Sequence, residues 1–149
     1  VAARPGVGVC AMHMQGTPQT MQDNPHYDDV VEEIAHYLAE RDRALLAGGV
    51  SPERICLDPG IGFGKSHEHN WTLLRRCDRF HSLGRPLLVG HSRKGFIRKL
   101  SSDKTGDLTA GSVGVALALA RRGIQILRVH NVLAVHDALR CFAASGGLE

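Results

Sequence analysis

The sequence predicts an α/β protein built as half of a (β/α)8 barrel of the TIM-barrel family, and three observations carry that prediction. Apolar runs of strand length alternate with helical patterns in four β–α units. The strand runs are continuously apolar, which points to parallel strands buried on both faces. Each strand ends in a polar, glycine-flanked cluster: "MHMQG", "LDPGIGFGK", "GHSRK" and "RVHN". Barrel enzymes gather chemistry at the C-terminal ends of all their strands, whereas a doubly wound sheet concentrates it at one switch point. A closed barrel needs roughly 250 residues, so the 149 residues are expected to form a single domain, 1–149, covering about half of one.

The elements follow in order. "VGVCAMHM", Val7–Met14, is the first expected strand. "DDVVEEIAHYLAERDRALLAGG" then carries Val30, Val31, Ile34, Leu38, Leu45 and Leu46 at helical spacing, with Asp28 and Asp29 at its start and Gly48-Gly49 at its end, as macrodipole and C-cap preferences ask. "RICLD" is the second strand, followed by a helix from about Asn70 to Ser82. "PLLVGHS", Pro86–Ser92, is the third, followed by a long helical stretch broken near Thr105-Gly106. "IQILRVHN", Ile124–Asn131, is the fourth, and "VLAVHDALRCFAAS" the last helix.

Composition narrows the function. Hydrophobic residues make up 43%, enough for a core and too many for a disordered chain. The formal charge is +3 with no dense Lys or Arg run, so no nucleic-acid face is expected, while small anionic substrates suit the balance. No apolar run has membrane-spanning length and no signal-peptide pattern is present, and a cytoplasmic enzyme is the expectation. Cys10, Cys56, Cys77 and Cys141 form no CxxC pair, so they read as buried or half-buried thiols in a reducing compartment. The sequence opens at Val1 without a methionine, and both ends read as cut, with Leu148-Glu149 as a cloning scar.

The strand-end residues suggest chemistry. Asp58 is suited either to accept two parallel hydrogen bonds from a planar donor edge, such as an amino-pyrimidine, or to cap its glycine-rich turn. The loop Gly60–Lys65 lacks the spacing of a nucleotide-phosphate cradle; its glycines permit movement, and Phe63 reads as a flat-ligand contact or as a core anchor. Ser92 and Lys94 offer a hydroxyl for a carboxylate and a donor for ring nitrogens or carbonyls, or form a solvated basic turn. Arg128 and His130 alternate along a strand and so share a face, a pairing that suits pyrophosphate. Met12 and Met14 share a face as pocket floor or core, and His13 points the other way, under the helices. His67 and His69 resemble half a metal site but read as solvated loop histidines, with no further ligand at metal spacing.

Together "MHMQGTPQTMQ", "LDPGIGFGK", "GHSRKGFI" and "RVHNV" resemble the dihydropteroate synthase family in order and approximate spacing, over nearly the whole chain. The resemblance implies the C-terminal half of a pterin-binding TIM barrel, strands five to eight. It also implies a folate-pathway transferase that condenses 6-hydroxymethyl-7,8-dihydropterin pyrophosphate with p-aminobenzoate to give 7,8-dihydropteroate and pyrophosphate, and that is the target of sulfonamides. Carried onto this sequence, Met12, Asp58, Lys94 and Arg128 would bind the pterin. Phe63 and Ser92 would meet p-aminobenzoate, and Arg128 and His130 would grip pyrophosphate. Lys94, Arg128 and His130 would carry catalysis. Mg2+ is implied as a cofactor, with its ligand in an N-terminal half whose "NVTPDSFSDGG"-like loop does not occur in this chain, so the chain alone is expected to be inactive. A homodimer, or pairing with the other half-barrel, is implied too. Asn131 and His91 depart from the family's usual residues. Alternative readings are a non-catalytic pterin-binding half-barrel, a pterin-dependent methyltransferase of the corrinoid pathway, and a small α/β phosphate-binding protein.

Overall fold

The computed structural model describes residues 4, 6–102 and 106–148. Its elements are β1 (Val9–Met12), α1 (Val30–Ala47), β2 (Ile55–Asp58), α2 (His67–Arg75), β3 (Leu88–Val89), α3 (Gly95–Leu100), α4 (Thr109–Arg121), β4 (Ile126–Leu127) and α5 (Val132–Ala144), with short 3-10 helices at Pro52–Arg54 and Cys77–Leu83. Val1, Thr105 and Glu149, on which parts of the sequence reading rest, lie outside the described residues.

Among the described residues all strand pairings are parallel. β1 pairs with β2, Val9 opposite Ile55 through Met12 opposite Asp58. β3 pairs with β4, Leu88 opposite Ile126 and Val89 opposite Leu127. One bridge between Leu57 and Leu87 joins the two pairs, where the Leu57 N–H donates to Pro86 O at 2.9 Å. Spatial order therefore follows sequence order, the arrangement of consecutive barrel strands.

Burial divides by the period-two alternation of strands. Ile55, Leu57, Leu87 and Val89 point outward and lie in one core with Val31, Ile34 and Leu38 of α1 and with Leu73 and Phe80. Cys10, Met12, Cys56 and Asp58 share the opposite, inner face. The expectation that both faces are buried is corrected here: Cys10 is exposed, Cys56 half-buried and Ile126 40% exposed. The helices cover only the outer face, and the inner one is closed by strands across a complete barrel.

Local chemistry explains the element ends. Asp29, rather than Asp28, caps α1, accepting from Val31 N and Glu32 N, and Gly48 closes the other end. The single helix expected from Asn70 to Ser82 is instead α2, starting at His67, followed by a 3-10 segment. Leu74, Cys77, Phe80 and Leu83 recur every third residue and all pack into or against the core, and three residues per turn is the period that keeps them on one side. His67 and His69 are not loop residues: they begin α2, where His69 completes a capping box with Ser66. The cysteine expectation holds for Cys56 and Cys77 but not for Cys10, on the open inner face, or Cys141, exposed on α5. Among the described residues, no helix is long and apolar enough to cross a membrane.

Candidate active site

The C-terminal ends of the four strands converge, and the seven residues singled out from the sequence meet there. Asp58 ends β2 with 1% of its surface exposed. Its Oδ1 accepts from Gly60 N at 2.7 Å, while its Oδ2 is buried with no hydrogen-bond donor. The nearest cation is the Arg128 guanidinium, with Nη2 3.6 Å from Oδ2. The turn-capping reading of Asp58 thus holds for one oxygen, and the other has no hydrogen-bond donor within the described residues. Met12 lies opposite Asp58 in the β1–β2 register.

Two glycines permit this convergence. Gly60 has φ +70°, and a Cβ there would fall 1.8 Å from His13 O; only glycine lets the loop turn against the end of β1. At Gly90 a Cβ would sit 2.5 Å from Arg128 Nη2, so the missing side chain is what lets the guanidinium lie over the end of β3 and reach Asp58.

Lys94 follows β3. Its Nζ donates to Ile61 O and lies 4.4 Å from the centroid of the Phe63 ring, a cation–π distance. Ser92 is buried, with Oγ 3.1 Å from His130 Nδ1, and it accepts the His130 backbone N–H at 3.3 Å. Phe63, Gly90, Ser92, Lys94, Arg128 and His130 line a cavity of about 190 Å³. Phe63 is only half-buried, so the core-anchor reading gives way to a rim position beside the Lys94 ammonium.

The electrostatics follow from burial. Desolvation pushes the Asp58 carboxyl above its usual range, against the pull of the Gly60 N–H and of Arg128, Lys94 and Lys65. Desolvation brings Lys94 down to about 8, although Asp58 favours its charged form. The site holds a buried acceptor facing an excess of cationic donors, a setting that suits an anionic ligand.

Other residues hold this arrangement, and Asn70, Gln22, Tyr27, Ser112 and the burial of Lys65 were not singled out from the sequence. The Gly60–Lys65 loop, whose glycines permit movement, is held by side-chain hydrogen bonds. Gly62 N donates to Asn70 Oδ1 at 2.6 Å, Gln22 Nε2 donates to Gly62 O at 2.9 Å, and Tyr27 Oη donates to Gly64 O at 2.7 Å. Lys65 is 3% exposed and its amine lies 3.0 Å from His13 Nδ1. His13 packs under α1, edge-on to Tyr37 at 4.9 Å, as its strand position predicts. His91 is fully buried beneath α4, with Nε2 2.9 Å from Ser112 O, and Ser112 Oγ accepts the Arg93 N–H at 3.0 Å. That network fixes the turn carrying Lys94, in which Arg93 has φ +56°.

Comparison with known proteins bears directly on this site. The profile of the family described as pterin binding enzyme matches residues 1–130. The chain belongs to the pterin-binding enzyme family. Within this pterin-binding family, it is 46% identical over 148 residues to the dihydropteroate synthase of Neisseria meningitidis serogroup C, covering 98% of this chain and 52% of that protein. Yersinia pestis dihydropteroate synthase, solved with a sulfonamide drug complex, superposes with a TM-score of 0.92 at 38% identity, covering 99% of this chain and 54% of that one. Xanthomonas albilineans dihydropteroate synthase in complex with 7,8-dihydropteroate gives 0.84 at 42% identity, covering 94% and 51%. The chain spans about half the length of the curated relatives it matches.

Proposed function

We propose that the chain is the C-terminal half of a dihydropteroate synthase, one domain supplying strands five to eight of the barrel, and that the whole enzyme joins 6-hydroxymethyl-7,8-dihydropterin pyrophosphate to p-aminobenzoate. The observation that carries this reading is Asp58 Oδ2, a buried carboxylate oxygen with no donor. Such an oxygen is costly unless a ligand satisfies it, and a pterin's ring N–H and exocyclic amine supply matching donors. The sulfonamide and dihydropteroate complexes of the relatives support the same ligand class.

In this reading Asp58 and Lys94 hold opposite polar edges of the pterin, Met12 floors it and Arg128 flanks its ring. Arg128 and His130 receive the pyrophosphate as it leaves and positive charge develops at the pterin's exocyclic carbon. The p-aminobenzoate amine then attacks that carbon and loses its proton to the departed pyrophosphate or to water, its ring beside Phe63 and its carboxylate taking the Ser92 hydroxyl from His130. Catalysis of this kind is positioning and leaving-group stabilisation, and it uses Lys94, Arg128 and His130 as donors.

Magnesium does not fit the residues present. Among the described residues no three His, Cys, Asp or Glu side chains group around an ion, and the cavity wall is cationic. No step above runs through the ion, whose ligands belong to the N-terminal half in this reading. A cytoplasmic enzyme working as a homodimer completes the proposal.

The test is calorimetric titration of the 1–149 chain with the pterin pyrophosphate. Saturable binding, weakened at least about tenfold in Asp58→Asn and Lys94→Ala, supports a formed pterin pocket; binding indifferent to both substitutions overturns the assignment.

A further inference from the structure

Beyond the strand-end residues stands a buried cation that the proposed chemistry does not use. Lys65 closes the loop following β2, and its ammonium group is enclosed by protein. Its amine lies 3.0 Å from His13 Nδ1, at the end of β1, and donates to Phe63 O at 2.9 Å. His13 is itself buried between Tyr27 and Tyr37, and its backbone N–H donates to Asp58 O at 3.0 Å. A lysine is almost never buried unless partnered, and here both partners are parts of the site's frame. One contact runs to the strand that pairs with β2, the other to the carbonyl of the residue whose ring edges the cavity.

We propose that Lys65 is a positioning residue that clasps the Gly60–Lys65 loop to β1 through His13, fixing the height of Phe63 and the closeness of the loop to Asp58. The deduction rests on the synthase reading only for what the loop serves; the clasp itself is independent of it. Lys65 occupies a different place from the other loop ties. Asn70 and Gln22 hold Gly62, Tyr27 holds Gly64, and Lys94 holds Ile61 from the far strand. Only Lys65, among these ties, takes the Phe63 carbonyl, and it does so while bonded to the neighbouring strand. It is also among the cations that draw the Asp58 carboxyl down against burial, so the clasp acts on the candidate pterin acceptor from behind.

His13 must accept at Nδ1 for this to hold. Burial and the adjacent Lys65 keep the imidazole neutral, bringing it down to about 4, so an ammonium at Lys65 donates to an unprotonated Nδ1 with the ring proton on Nε2.

The experiment is amide hydrogen exchange on the 1–149 chain, comparing the wild type with Lys65→Met, His13→Leu and His13→Asn. Asparagine retains an acceptor near the position of Nδ1, and leucine removes it. The expected result is exchange at least about tenfold faster at Gly60, Gly62 and Phe63 in Lys65→Met and His13→Leu, near wild-type exchange in His13→Asn, and unchanged protection in α4 in all of them. Unchanged loop exchange in Lys65→Met overturns the clasp, and so does equal loss of protection in α4, because a general loosening is not a positioning effect. If Lys65→Met does not fold, the His13 pair decides alone: equal loop exchange in the leucine and asparagine variants overturns the proposal. Pterin titration of the same samples separates the two readings. A wild type that binds no pterin bears against a preformed pocket, while its loop exchange still judges Lys65.

Discussion

At the scale of the residue, the structure ties stability to Asp58 and Lys94, which the proposed chemistry uses, and to Lys65 behind them. Burying Asp58 raises its carboxyl pKa, so its contribution is largest when the acid is protonated and falls as pH rises. Asp58→Asn is therefore expected to raise the melting temperature at pH 7, by about 2–4 °C per kcal/mol regained, while weakening pterin binding; a lower melting temperature contradicts this. Lys65 and Lys94 act in the opposite direction and in another pH window. Desolvation brings them down to about 7 and about 8 from 10.5, so the unfolded chain binds their protons more tightly. Their stabilising effect is full above the unfolded value and is lost as pH falls through about 8 and then about 7. Above pH 9 the half-buried Cys56 thiol, pushed up to about 12 by desolvation, opposes them. Melting temperature should rise between pH 7 and 9, and Lys65→Met should flatten that rise; an equally steep rise in the variant rules out Lys65 as a source. Asp58 was legible in the sequence because it closes β2, where the direction of the side chain follows from parity, and Lys94, Arg128 and His130 were legible from the polar clusters that follow the third and fourth apolar runs. Lys65 was not, since its burial depends on how the loop folds back onto His13, a contact 52 residues apart in sequence.

At the scale of the element, α1 bears much of the outer core. Ile34 and Leu38 are wholly buried against Leu57 and Phe80. Ile34→Ala is expected to cost about 2–5 kcal/mol, read as a lower urea midpoint with an unchanged slope. A loss below about 1 kcal/mol means that the helix face repacks or never carried that load. The four strands and the start and end of α1 were legible from apolar runs and capping residues. The break of the second helix was not, because Leu73, Leu74 and Cys77 satisfy a helical period and the three-residue recurrence of Leu74, Cys77, Phe80 and Leu83 shows only once their burial is known. The strand ends were over-long in the reading: β3 is paired only over Leu88–Val89, since Gly90 and Ser92 leave the ladder to face the cavity.

At the scale of the whole molecule, the open inner face governs behaviour in solution. Cys10 and Ile126 are exposed on that face, and among the described residues β1 pairs only with β2 and β4 only with β3. Unpaired edges beside an uncovered apolar face promote association. Sedimentation of the 1–149 chain should show mass rising with concentration, reduced by Ile126→Lys; a monomer at all concentrations excludes this face as a sticky surface. The narrow seam between the strand pairs, a single bridge at Leu57–Leu87, makes the chain divisible in a chemically uneven way. A nick beside Gly84, an exposed turn with φ +68° and open space around it, would leave Asp58 on one fragment and Lys94, Arg128 and His130 on the other. Recombination of the fragments should slow markedly with added salt, because charge attraction across the seam draws them together. A rate indifferent to salt would mean that the outer core alone guides them. Such a pair is in effect a split reporter, whose closing brings the buried Asp58 carboxylate back among its cations.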